Sequence, residues 1–136
     1  MTAFLLDTNV ISELQKKRPN PLVTAWLTRT PDAFLSVLSI GEMLRGAQRI
    51  STRDPIRAKR IEAWVENVRS TYAGHLLEID EDVADEWAQL PFTRTLPVID
   101  SLLAATALTH SLTIATRNLT DFADLGVPLL NPFEDA

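Results

Sequence analysis

The stretch Ala3-Phe4-Leu5-Leu6-Asp7-Thr8-Asn9-Val10-Ile11-Ser12-Glu13-Leu14 decides how this 136-residue chain is read. A short apolar run ends on an acid, and a helical pattern starts at once. Residues 3–7 read as a strand buried on both faces, the form taken by strands of a parallel sheet. Residues 8–16 read as a helix with Val10, Ile11 and Leu14 on one face. Asp7 is therefore carried to the carboxyl end of a strand, beside a helix N-terminus. In open α/β sheets that edge is where ligands sit. Asp7 is either a working acid or a helix cap, and the other acids sent to the same edge decide between the two.

Working outward, Asn20-Pro21 starts a second helix, with Asn20 as N-cap and Leu22, Val23, Trp26 and Leu27 inward. Ala33-Phe34-Leu35-Ser36 is a second strand. Ser39 and Glu42 have capping-box spacing and open a helix that runs to about Ile50. Asp54-Pro55 opens a longer helix to about Tyr72, with Ile56, Ile61, Trp64, Val65 and Val68 as its apolar stripe. Gly74 ends it. A strand candidate at 75–79 follows, then a short helix capped by Asp80 and holding Val83, Ala84, Trp87 and Leu90.

Pro91 and Pro97 bracket an irregular link. Val98 to about His110 is the most apolar helix. Residues 112–116 form a strong strand, Arg117–Phe122 a loop or single helical turn, and 127–130 a last strand candidate. Strands alternating with helices predict one domain over residues 1–136. The expected fold is a three-layer α/β/α sandwich around a sheet of four or five mainly parallel strands.

Composition narrows the chemistry. The chain has no cysteine, which excludes disulfides, thiolate metal sites and cysteine nucleophiles. No apolar run approaches the ~18 residues of a membrane span, and no secretion signal is visible, so a cytoplasmic protein is expected. The net charge of −5 argues weakly against nucleic-acid binding. Its distribution qualifies that. Arg45, Arg49, Arg53, Arg57, Lys59 and Arg60 face a single acid, Asp54, in one segment. Both this run and the acid-rich 78–86 read first as solvated helix faces.

Four acids sit at element boundaries: Asp7, Glu42, Asp100 and Asp121. Each has a structural explanation as a cap or a helix-dipole complement. Together they say more, because strand C-termini and the following helix N-termini share one edge of a parallel sheet. Carboxylates gathered there repel and raise one another's pKa values. A divalent cation relieves that conflict, and hard oxygen ligands select Mg²⁺ or Mn²⁺. Such a site suits phosphoryl chemistry. His75 and His110 read as structural or surface residues. The four scattered glycines form no phosphate loop, and no Gly-x-Ser-x-Gly elbow is present.

Four blocks of sequence carry a resemblance: LLDTNVISEL (5–14), LSIGEMLRG (38–46), LPVIDSLLAATAL (96–108) and IATRNLTDF (114–122), the last followed by LLNPF (129–133). In order and at these separations they resemble the PIN domain, specifically the VapC-type toxins of VapBC toxin–antitoxin pairs and their FitB-like branch. The resemblance implies a Mg²⁺- or Mn²⁺-dependent endoribonuclease that cleaves RNA phosphodiester bonds with a metal-activated water. It carries the catalytic acids onto Asp7, Glu42, Asp100 and Asp121. Asp7 and Asp100 become direct metal ligands. Thr8, Asn9 and Thr116 fall at supporting polar positions. Arg117 falls either at a substrate phosphate or in an outward-facing loop.

The resemblance also implies a homodimer, a cognate VapB-type antitoxin seated in the toxin's groove, and no membrane partner. One departure is visible. Between Trp87 and Leu96 the chain is shorter than many members, which puts one wall of the groove in question. Two other classes compete with this reading. A catalytically weak PIN-like interaction module could lose the four acids freely, yet all are present. A haloacid-dehalogenase-like phosphatase needs a second Asp where this chain has Asn9.

Overall fold

The computed structural model describes residues 2–91 and 93–134. Five parallel strands form one sheet in the order β3-β2-β1-β4-β5. They are β1 (Phe4–Leu6), β2 (Ala33–Ser36), β3 (Leu76–Leu77), β4 (Thr113–Ala115) and β5 (Leu129–Leu130). Among the described residues seven α-helices accompany them: α1 (Thr8–Ile11), α2 (Pro21–Thr28), α3 (Val37–Ile50), α4 (Pro55–Thr71), α5 (Glu81–Ala88), α6 (Val98–Thr109) and α7 (Leu119–Phe122). None of the described helices is long and apolar enough to cross a membrane.

Side chains alternate across a strand, and here both alternating sets are apolar. Leu6, Leu35 and Ala115 face a core with Val10, Ile11, Val23, Trp26, Ile40, Met43, Val65 and Val68, contributed by α1 to α4. Leu5 and Ile114 face the other side, against Leu103, Ala104 and Ala107 of α6 and Phe122 of α7. A sheet apolar on both faces needs helices on both faces, which gives the expected three layers.

The strand order has one consequence for the site. The chain runs from β1 outward to β2 and β3, then returns to place β4 on the opposite side of β1. The crevice between the carboxyl ends of β1 and β4 is thus the topological switch point, where open α/β sheets bind ligands. The register pairs Leu6 with Ala115, so the next residues, Asp7 and Thr116, stand at its two lips.

Several local expectations change. The helix of 8–16 is only four residues of α-helix, Thr8–Ile11, followed by a 3-10 turn over Ser12–Gln15. The tightening accompanies an inward turn of Glu13, whose Oε2 accepts from the Asn20 amide at 2.8 Å. Ser39 is no capping-box residue. The chain passes from β2 directly into α3, and Ser36 caps it by accepting from the Leu38 amide at 3.0 Å.

Leu22 and Ile56 are exposed rather than inward. In α2 the buried pair is Val23 and Trp26, three residues apart, and Leu22 is a step of about 100° off that stripe. In α4 the stripe starts at Ala58 and continues through Val65 and Val68. Ala84 and Trp87 are also exposed, since acid-rich α5 buries only Val83. Trp87 is tied down nonetheless, its indole N–H donating to Ser101 Oγ at 2.9 Å. Asn20, Asp54 and Asp80 cap their helices as read from the sequence. Gly74 ends α4 with φ +82°, a conformation that favours glycine.

Candidate active site

Asp7 is buried, and its surroundings define it. Its Oδ1 accepts the Thr8 amide N–H at 2.7 Å, so the acid does cap α1. Its Oδ2 accepts the Thr116 hydroxyl at 2.8 Å and the Asn9 side-chain amide at 3.2 Å. A carboxylate offers about four lone-pair positions. Three are filled by protein donors, and one is left without a protein donor. Cap and working acid are therefore compatible roles.

Thr116 and Asn9 are held in turn. Thr116 Oγ1 accepts from the Asn118 amide at 2.9 Å. Asn9 Oδ1 accepts from the Arg117 amide at 3.2 Å. The turn after β4 and the turn after β1 are thus stitched across the switch point through Asp7.

Thr8 extends the network to α3. Its hydroxyl lies 2.6 Å from Glu42 Oε1 and 3.0 Å from Ser39 Oγ. An ionised carboxylate only accepts, so the Thr8 proton goes to Glu42, and Ser39 gives its own proton to Thr8. This explains why Ser39 and Glu42 occur with that spacing: one face of α3 presents both to Thr8. Glu42 is an exposed acid held by Thr8, the residue after Asp7.

Asp100 sits half-buried in the first turn of α6, and Asp121 in the short α7. Asp7 and Asp100 each feel the charges of Glu42 and Asp121. Burial pushes the Asp7 carboxyl above its ordinary value, against the lowering effect of the Thr116 and Thr8 hydrogen bonds, and the charges of Glu42 and Asp121 push it further. Asp100 is pushed up to about 6 by burial and then by Asp7, Asp121 and Glu42, with Arg94 opposing.

Arg117 is exposed, and its guanidinium stacks over the Phe133 ring at 3.8 Å. That contact favours the outward-loop placement. Two residues that matter were not singled out from sequence. Arg94 reaches from the link before α6 and donates to the carbonyls of Asp121 at 2.8 Å, Ala123 at 3.3 Å and Thr120 at 3.4 Å. It anchors the C-terminal end of α7, and so Asp121, and shapes the wall that the short 88–96 segment left in question. Its signal was available: Arg94 is the lone Lys or Arg between Arg69 and Arg117. Glu13 is the second. It is buried, and the Lys16 ammonium 2.9 Å away helps hold its carboxyl below the usual range.

The donor set suits a hard divalent cation: oxygens only, mutually repelling, with an open position on Asp7. Among the described residues no three His, Cys, Asp or Glu side chains converge closely enough to enclose an ion. The fit is therefore to an ion that takes one or two carboxylates directly and keeps water elsewhere, as Mg²⁺ does.

The raised Asp100 value gives a pH prediction for protein free of divalent ions. Between about pH 4, where an unfolded Asp ionises, and about 6, folded Asp100 holds a proton that the unfolded chain has lost. Stability contributed by Asp100 is thus present below that window and falls as pH rises through it. Asp100→Asn removes this dependence. Urea titrations should show the variant gaining on the parent chain from pH 4 to 7. Parallel stability curves would refute the assignment.

A sheet of this order with a polar, acid-lined switch point defines the class, and sequence comparison agrees. The PIN domain family model matches residues 4–127, and the chain belongs to that family. It is 35% identical to Toxin FitB of Neisseria gonorrhoeae, over 97% of this chain and 99% of that protein. It is 33% identical to VapC ribonuclease Y4jK of Sinorhizobium fredii, over 98% and 99% respectively. A solved structure of FitAB bound to an IR36 DNA fragment superposes with a TM-score of 0.83 at 33% identity, covering 98% of this chain and 97% of the matched chain.

Proposed function

We propose that this chain, as one PIN domain over residues 1–136, is the toxin of a type II toxin–antitoxin pair. Its activity is that of a divalent-metal-dependent endoribonuclease. The observation that carries the reading is the set of four acids around the β1–β4 switch point, with Asp7 hydrogen-bonded at three positions and open at the fourth. The support from relatives is the ribonuclease and toxin names of proteins matched over nearly their whole length.

PIN-domain ribonucleases generally use divalent metal ions. Asp7 and Asp100 are the residues we assign to direct coordination of Mg²⁺ or Mn²⁺. Asp121 and Glu42 complete the charge of the site through water. When bound, the ion supplies a water of lowered pKa and polarises the scissile phosphate. The protein's own part is positioning. Thr116 and the Thr8 amide fix both Asp7 oxygens. Thr8 and Ser39 hold Glu42 toward the mouth. Arg94 and Phe122 set the turn that carries Asp121.

The partners follow from the relatives. FitAB is a complex that binds DNA, and we assign this chain a cognate VapB-type antitoxin and a homodimeric state. The test is to incubate antitoxin-free protein with total RNA, with and without Mg²⁺ or Mn²⁺, and map the cut ends. Discrete metal-dependent cuts are expected. Intact RNA under every metal condition would leave the interaction-module reading in place instead.

A further inference from the structure

The basic residues that the sequence set apart at 45–60 divide in the fold. Arg57 and Arg60 turn toward Lys16 and Lys17, at the end of the first helical segment, and with Trp64 they line a groove of about 640 Å³. A smaller hollow of about 270 Å³ shares Gln15, Arg57 and Trp64 with it and reaches Thr8 and Glu42. The two make one path from the acid mouth to a cluster of cations. Arg45, Arg49 and Arg53 line neither part.

A polyanion approaching four carboxylates is repelled, and the chain carries −5 overall, so it needs cations placed beside the mouth. Arg94 and Arg117 are engaged elsewhere, Arg94 with the carbonyls of Thr120, Asp121 and Ala123 and Arg117 with Phe133. In the groove, Lys16 is paired to Glu13, and Asp54 spends an oxygen on the Arg57 amide at 3.1 Å. Among the described residues, Lys17, Arg57 and Arg60 have no acidic partner within 4.0 Å. All three are exposed. Trp64 is half-buried between them and packs its other side on the core. A track of cations with an aromatic face is the chemistry that binds single-stranded nucleic acid.

We propose that this groove is the track for the RNA strand leaving the acid mouth, with Lys17, Arg57 and Arg60 on successive phosphates and Trp64 under a base. The proposal rests on the ribonuclease reading and adds to it where the substrate lies.

The test compares two triple variants that remove the same charge: Lys17→Gln/Arg57→Gln/Arg60→Gln in the groove, and Arg45→Gln/Arg49→Gln/Arg53→Gln outside it. Binding of a fluorescent 12-nucleotide single-stranded RNA is followed in EDTA over a salt series. Cleavage of the same RNA is then followed with Mg²⁺ or Mn²⁺. The groove variant is expected to bind about tenfold more weakly, with a slope of log affinity against log salt lower by about 2. In cleavage its KM rises with kcat within about twofold. The outside variant stays close to the parent.

Equal effects in both variants, or none in the groove variant, would overturn the track and leave the ribonuclease reading standing. Unchanged RNA binding with weakened capture of the co-encoded antitoxin would make the groove a protein-docking surface and overturn it too. A parent chain that neither binds nor cuts RNA would sink both readings together.

Discussion

Asp7→Asn lowers metal-dependent RNA cleavage by roughly a thousandfold or more, the scale set by losing one electrostatic element of a catalytic centre, while the fold survives. The asparagine is nearly isosteric. Its carbonyl oxygen still accepts the Thr8 amide, and Thr116 can turn its hydroxyl to accept from the new amide. What disappears is the charge, the open lone pair on a rigid strand end, and the acceptor that Asp7 offers the Asn9 side-chain amide. Asp100→Asn acts alike on cleavage, since it removes the other acid assigned to the ion. Both variants should be at least as stable as the parent chain without metal, because burial and like charges hold both carboxyls above their ordinary values. Single-turnover cleavage with circular dichroism checks both halves. A variant retaining more than a tenth of the parent rate would remove its acid from the mechanism.

Phe122→Ala destabilises the protein by about 3–5 kcal/mol, the usual cost of emptying a large buried aromatic site. Phe122 is 1% exposed and packs in the core that holds Leu103, Leu125 and Val127. It is also the residue after Asp121. Helix α7 has only four residues, too few to hold itself in water. Its position comes from Phe122 below and the Arg94 guanidinium at its end. Urea unfolding should register the loss, and cleavage should fall further than the unfolded fraction accounts for, as Asp121 loses its support. A loss under about 1 kcal/mol would mean that the site collapses around the gap.

The layers of this fold were open to reading because the largely apolar runs at 3–6, 33–36 and 112–115 are short and followed by helical patterns. Their placement on both sides of β1 was not, since strand order depends on which helices cover which face. The acids show the same division. Asp7 and Asp100 stood out by position. Glu42 has two readings in the sequence, a site acid and half of a capping box with Ser39 three residues before it. Only the fold shows that both side chains converge on Thr8, 34 residues earlier in the chain for Glu42. Arg94 escaped notice because its partners are backbone carbonyls, which leave no side-chain pattern in a sequence. Ile56 and Leu22 were misplaced for a simpler reason: hydrophobicity marks a candidate for burial, and neighbouring elements decide which face is covered.

The central claim is that Asp7 and Asp100 together hold the catalytic ion. Titration of the purified protein with Mn²⁺, following the free-ion signal by electron paramagnetic resonance, tests it without depending on knowing the RNA. The parent chain should bind Mn²⁺, and Asp7→Asn and Asp100→Asn should each weaken that binding by about tenfold or more. Parent-like Mn²⁺ affinity in both variants would contradict the account.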